Sequence, residues 1–200
     1  MTNVSVKRHE PEEVRRGQIL TAARKCFSQR GFHATSMRAI FAEANLSSGS
    51  FYNYFTSKIE VVREICAEDQ EGLWSELELV TNAPNPIEAI AHCVESIVGF
   101  CHSTDARIWV EIYTEASRDT DIRNICDETE GPLRKTFAEA IASGKKDGLI
   151  LSKLDVATLV DIVMASCWGS VSKLAYKPDT PIEDEKRIAY GNVLTLLTYS

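Results

Sequence analysis

Apolar residues recur along this chain at intervals of three and four, the spacing that gathers them on one face of a helix with 3.6 residues per turn. Ile19, Ala22, Ala23, Cys26 and Phe27 form the first such face, and Gly31 behind them suits a left-handed helix cap. Thr35 stands as an N-cap before Met37, Ile40, Phe41 and Ala44, predicting a second helix of about ten residues. Asn45, which tolerates a left-handed backbone, marks a tight turn. Ser47 is the expected cap of a short third helix burying Phe51 and Phe55, one turn apart. The run Ser57-Lys58-Ile59-Glu60 has capping-box form and opens a long fourth helix through Ile65 and Trp74.

The same period fills the rest of the chain. After the loop signal Asn82-Ala83-Pro84-Asn85-Pro86, the residues Ile87, Ile90, Ala91, Val94, Ile97, Val98 and Cys101 mark an amphipathic helix, and Ile108, Ile112 and Ala116 a shorter one. Gly131-Pro132 is expected to interrupt or kink the helix around it, because proline lacks a donor and clashes with the preceding turn. Leu133, Phe137, Ala140 and Ile141 resume the pattern up to Gly144 and Gly148. A very apolar helix is expected from about Asp155 to Tyr176, and a last one from beyond Pro181 to Leu197. No run alternates with the period of two that a strand requires, so the fold class is all-α.

Composition narrows the class. The chain has 200 residues, 44% hydrophobic and 26% charged, too apolar for disorder, and no stretch approaches the ~18 uninterrupted apolar residues of a membrane span. Lys7, Arg8 and His9 have no apolar run behind them, so no secretory signal and no membrane partner are expected, and the cytoplasm is the expected compartment. Six widely spaced cysteines then read as small buried hydrophobes rather than disulfides. The net charge of −7 divides unevenly: residues 1–65 hold ten Lys/Arg against six Asp/Glu, and residues 66–200 hold 12 against 23. That asymmetry suits a nucleic-acid-facing module joined to one that avoids nucleic acid.

Two short helices joined by a tight turn let the second lie in the DNA major groove. Over residues 35–55 the third helix presents Ser47, Ser48, Gly49, Ser50, Tyr52, Asn53 and Tyr54, with Phe51 and Phe55 turned inward. Hydroxyls, amides and helix N-terminal N–H groups donate to phosphate oxygens, Gly49 lets backbone approach closely, Asn53 suits a base edge, and Tyr52 suits a phosphate or a thymine methyl. Such polar clusters are usually loops, and the flanking helices favour the DNA reading here.

From Arg16 to Lys58 the chain resembles the TetR family of bacterial regulators. The resemblance is carried by Ile19-Leu20 to Phe27, Gly31-Phe32, Thr35, Arg38-Ala39-Ile40, the run Leu46-Ser47-Ser48-Gly49-Ser50-Phe51-Tyr52-Asn53-Tyr54-Phe55, and Lys58. It implies an all-helical homodimer that represses transcription from a palindromic double-stranded operator until a small-molecule effector binds, with no other cofactor. The expected layout is a helix-turn-helix DNA-binding domain over 12–73 and a helical effector-binding and dimerisation domain over 74–200. By position, Tyr52, Tyr54 and Lys58 match phosphate contacts, while Arg38, Ser48, Gly49 and Asn53 match base or groove contacts; Thr35, Ser47 and Ser50 complete the expected DNA-binding set. Phe41 stands where alanine is usual and Asn45 where glycine is usual.

In the acidic half, Phe100, Trp109, Tyr113, Phe137 and Trp168 are candidate walls of a ligand pocket, with His102, Glu111 or Ser166 as polar contacts. Aromatic residues at this spacing also make ordinary core. The acidic surplus hints at a cationic ligand, although a solvated acidic surface explains it as well. A metal reading of His92-Cys93 and Cys101-His102 fails on distance, since nine residues of helix span about 13 Å. Small residues Ala165, Ser166, Gly169, Ser170 and Ser172, with Gly191 and Asn192, suit close packing of the last two helices, which the resemblance makes the dimer interface. Asp161 is a polar interface residue or a pocket group. An enzyme on this scaffold finds no nucleophile motif, phosphate-binding glycine loop or metal-spaced cluster, so the expectation is a non-enzyme.

Overall fold

The computed structural model describes residues 12–198, and the basic pair Lys7 and Arg8 lies outside them. The described residues form the helices α1 (Glu12–Arg30), α2 (Met37–Glu43), α3 (Ser48–Tyr52), α4 (Lys58–Thr81), α5 (Pro86–Ser103), α6 (Ala106–Ala116), α7 (Thr120–Lys146), α8 (Val156–Tyr176) and α9 (Ile182–Thr198). None of them is long and apolar enough to cross a membrane. The second helix is seven residues rather than ten.

Local chemistry accounts for most of the boundaries. Asn85 caps α5 by accepting from Ile87 N and Glu88 N, with Pro86 in the first turn, where its missing donor costs nothing. Asp105, Asp119 and Asp155 cap α6, α7 and α8 in the same way. Helix α5 is the axis of the larger half: α9, α4, α8, α7 and α6 all pack on it, and Ile90, Ala91, Val94 and Val98 are fully buried. The apolar face of α1 is buried throughout, with Ile19, Ala23 and Phe27 sealed from solvent.

The expected break at Gly131-Pro132 does not occur. Helix α7 runs through Pro132, clamped along its length by α4, α5, α6 and α8. An interior proline costs ~3 kcal/mol; burial of Ile122, Ile125, Cys126, Phe137 and Ile141 at about 1.5–3 kcal/mol for each full-sized side chain outweighs it. Helix α4 is also continuous, so the expected domain boundary at 73/74 falls inside one helix.

All six cysteines are free and buried. Burial pushes the thiols of Cys66, Cys93 and Cys167 up to about 12 and that of Cys126 to about 11. A disulfide-forming aromatic reagent at pH 8 is therefore expected to label almost none of the native thiols within minutes, and all six in guanidinium; rapid native labelling of Cys93 or Cys167 contradicts the packing described here.

Candidate nucleic-acid interface and ligand cavity

The helix-turn-helix is assembled by short-range contacts. Ser36, not Thr35, caps α2: its hydroxyl accepts from Ala39 N at 3.1 Å. Thr35 is only 1% exposed, and its hydroxyl donates back to Gly31 O at 2.8 Å and Cys26 O at 3.2 Å. It ties the turn to the end of α1 and has no side-chain atom to offer DNA. Asn45 holds the turn at φ +55 and Ser47 caps α3, accepting from Ser50 N. Phe51 and Phe55 are buried, although the helix itself ends at Tyr52. Phe41 packs on Phe51 and edge-on to Tyr52, with ring centroids 5.8 and 6.5 Å apart.

This packing leaves one polar face outward. Ser47, Ser48, Gly49, Tyr52 and Asn53 are exposed, Ser50 and Tyr54 are half-buried, and Arg38 of α2 is exposed. Lys58 departs from its expected role. Its ammonium donates to Phe32 O at 2.8 Å and sits 4.2 Å above the Phe32 ring. Burial pushes its pKa down, with Glu115 pulling the other way. The charge holds the loop after α1 instead of reaching outward.

Two of the links between the helix-turn-helix segment and the larger half stand out. In the first, Glu111 of α6 accepts the Phe32 N–H at 2.9 Å. The neighbouring Gly31 adopts φ +79, and a Cβ there would stand 2.8 Å from the Glu111 carboxylate, so the position needs glycine twice over. In the second, Arg24 of α1 pairs with Asp69 of α4 at 2.6 Å, the carboxylate being only 4% exposed. Burial pushes the Asp69 carboxyl up, while Arg24 opposes it.

Asp69 also lines a cleft of about 70 Å³ between α4, α5, α6, α7 and α8. Its wall is mostly apolar: Leu73, Leu77, Ile97, Phe100, Leu133, Met164 and the indoles of Trp109 and Trp168. Glu130 is the polar centre. It accepts from the Tyr113 hydroxyl, from Trp168 Nε1 at 2.9 Å and from Arg134 Nε at 3.2 Å. Burial, helped by Glu130, pushes the Tyr113 hydroxyl far above its ordinary range, so it stays a donor.

Of the six residues expected at a pocket, this cleft brings together Phe100, Trp109, Tyr113 and Trp168. Two do not join them. Phe137 is sealed in the core away from the cleft wall, because α7 turns it toward its packed side, and His102 is exposed on the outer face of α5. The other polar candidates serve elsewhere: Glu111 holds Phe32, and Ser166 accepts from Asn192 of α9 at 3.1 Å. Asp161 is exposed and paired with Arg134. Glu130, Asp69 and Arg24 escape sequence reading, since each carries weight only through partners on other helices. Among the described residues no group of three or more His, Cys, Asp and Glu gathers to hold a metal.

The family model for bacterial regulatory proteins of the tetR family matches residues 19–65. The HTH-type transcriptional regulator UidR of Escherichia coli K12 is 27% identical over 164 residues, which are 80% of this chain and 81% of that protein. The HTH-type transcriptional repressor KstR2 of Mycolicibacterium smegmatis is 27% identical over 175 residues, 86% and 84% of the two chains. Among solved structures, Salmonella enterica GusR superposes with a TM-score of 0.76 at 21% identity over 94% of this chain and 97% of its own. The ketosteroid transcriptional regulator KstR2 of Mycobacterium tuberculosis does so at 0.73 with 26% identity, over 93% and 96%.

Removing one partner of a buried ion pair strands the other. Arg24→Met is therefore expected to cost ~3 kcal/mol in urea denaturation at pH 7.5, and Asp69→Asn in the same chain to restore part of it. Without Arg24, burial and then the nearby Glu68 both push Asp69 upward, so its folded pKa exceeds its unfolded one. Such a group favours folding at low pH and loses that benefit as pH rises. The Arg24→Met deficit should shrink as pH falls toward 5; a deficit that grows instead refutes the burial argument.

Proposed function

We propose that the chain is a transcriptional regulator of the TetR family, whose members bind DNA and are not enzymes, and that it acts as a dimeric repressor released from a palindromic operator by a small molecule. The observation that carries the reading is the outward face of Ser48, Gly49, Tyr52 and Asn53 beside Arg38, held by aromatic packing beneath it. In this reading, residues 12–73 form the DNA-binding module, in which Tyr52 and Tyr54 meet phosphates while Arg38 and Asn53 meet base edges. Ser47, Ser48, Gly49 and Ser50 bring backbone and hydroxyls close to the groove. Residues 74–200 bind the effector and pair the subunits, and the protein acts in the cytoplasm.

Dimerisation through α8 and α9 is supported by the apolar surface they leave. Ile162 and Ile188 are 39% and 43% exposed, and Ile162, Ala165, Ser166, Asn192 and Leu196 line a shallow groove between the two helices. The acidic larger half keeps off DNA, and the cleft around Glu130 is the effector site. The name of the Mycolicibacterium relative supports repression.

Selection from a random DNA pool tests this directly. Bound sequences should converge on a palindrome with half-sites about one turn, 10–10.5 bp, apart; asymmetric single sites count against a dimer. Tyr52→Ala and Arg38→Ala should each weaken binding of that site by about tenfold or more in gel shifts. Lys58→Ala should leave the salt slope unchanged, because its ammonium is engaged on Phe32. Ile162→Asp should give a monomer in sedimentation and abolish binding of the palindrome.

A further inference from the structure

The cleft wall holds a donor with nothing to donate to. Trp109 lines the cleft and is 7% exposed, and its Nε1 is buried without a hydrogen-bond partner, alone in this among the side-chain nitrogen and oxygen atoms of the described residues. Buried polar groups are almost always satisfied, so an orphaned N–H points to a missing acceptor. No acceptor of the described residues stands where it could take that hydrogen bond.

Each carboxylate of the cleft already holds a guanidinium: Asp69 pairs with Arg24, which also reaches Glu68, and Glu130 pairs with Arg134, which also reaches Asp161, and takes two neutral donors besides. An anionic ligand would meet two carboxylates in the wall. A cationic one would have to displace a guanidinium or enter an apolar wall with its charge unpaired, which is costly. The acidic surplus of this half therefore does not speak for a cationic ligand. The remaining wall is largely aromatic and apolar: Tyr113 and Trp168 stand 3.9 Å apart centroid to centroid, inclined at 54°, and Phe100 lies over Gly72, where a Cβ would come within 3.3 Å of its ring.

We infer that the cleft binds an uncharged, largely apolar ring compound bearing one acceptor oxygen, a carbonyl or ether, which accepts a hydrogen bond from Trp109 Nε1. The inference rests on the cleft being the effector site and adds the chemistry of what enters it. Specificity follows from the orphaned donor: an isosteric hydrocarbon fills the same space but leaves the N–H unpaired.

The test is equilibrium dialysis of the full-length protein against 1-tetralone and tetralin, a bicyclic ketone and its hydrocarbon, with 1-aminotetralin and tetralin-1-carboxylate as charged analogues. The ketone should bind about fivefold or more tightly than the hydrocarbon, the discrimination of one neutral hydrogen bond, and both charged analogues more weakly than the ketone. Trp109→Phe should bring the ketone-to-hydrocarbon ratio near one with hydrocarbon affinity little changed, whereas Trp168→Phe should preserve the ratio. In the unmutated chain the Trp109 indole N–H proton resonance should move downfield with ketone and not with hydrocarbon, a readout independent of how the variants fold. An unchanged ratio in Trp109→Phe, a stationary indole resonance, tight binding of a charged analogue, or no binding by either neutral probe overturns the inference. The effector site stands or falls separately: a compound that releases operator from the unmutated chain and equally from cleft-filling Leu73→Trp moves the site elsewhere.

Discussion

The arrangement turns on helix α6, eleven residues long and committed on two faces at once. Trp109 and Tyr113 face the cleft, while Glu111, between them in sequence, points the other way and accepts the Phe32 N–H. That hydrogen bond works only because Gly31 keeps its side of the contact bare. Lys58 strengthens the same joint from α4, holding Phe32 O and covering its ring. A carboxylate, a backbone amide, a carbonyl and an ammonium thus converge on one loop between α1 and α2. The orientation of the helix-turn-helix relative to the cleft is set at that loop.

A second joint lies farther along α4, where the Arg24–Asp69 pair couples α1 to the cleft wall itself. A buried ion pair adds little net stability, because desolvation consumes most of the Coulomb attraction. Its effect is directional: Asp69 cannot move far from Arg24 without leaving a carboxylate stranded. With α4 unbroken from Lys58 to Thr81, both joints are fixed to one rigid element, and the module ends where packing changes rather than where the chain breaks.

How much of this is legible in the sequence depends on how local each constraint is. The α1 face, the Asn45 turn, the Ser47 cap and the inward Phe51 and Phe55 follow from periodicity and short-range chemistry, and the structure has them. Thr35 and Ser36 are both capable caps one residue apart; tertiary contact with the end of α1 decides between them, and propensity cannot see it. Pro132 reads as a break because its cost is local while the compensating packing comes from four other helices. The cleft is legible in its aromatic residues and not in its polar ones. Phe100, Trp109, Tyr113 and Trp168 are large apolar side chains that must face inward somewhere, whereas Glu130 is one acidic residue among many until α6 and α8 deliver their donors to it. Lys58 fails for a related reason: a lysine at the start of a helix reads as a free charge, and only the folded loop supplies its acceptor.

With the cleft as the proposed effector site, the geometry also limits how its occupancy can reach the helix-turn-helix. A ligand shifts an equilibrium only by the difference between its binding free energies for the two states, so contacts made equally in both change nothing, however tight. The wall residues on elements that carry a joint are Trp109 and Tyr113 of α6 and Asp69, Gln70, Leu73 and Leu77 of the long α4; Met164, Cys167 and Val171 belong to α8, which carries neither joint. Contacts to α8 can therefore raise affinity with little leverage on the helix-turn-helix. Leverage belongs to contacts on α6, where moving Trp109 or Tyr113 carries Glu111 with them and with it the Phe32 amide. Moving DNA affinity a hundredfold takes about 2.7 kcal/mol of differential binding, within reach of a few contacts confined to that one short helix.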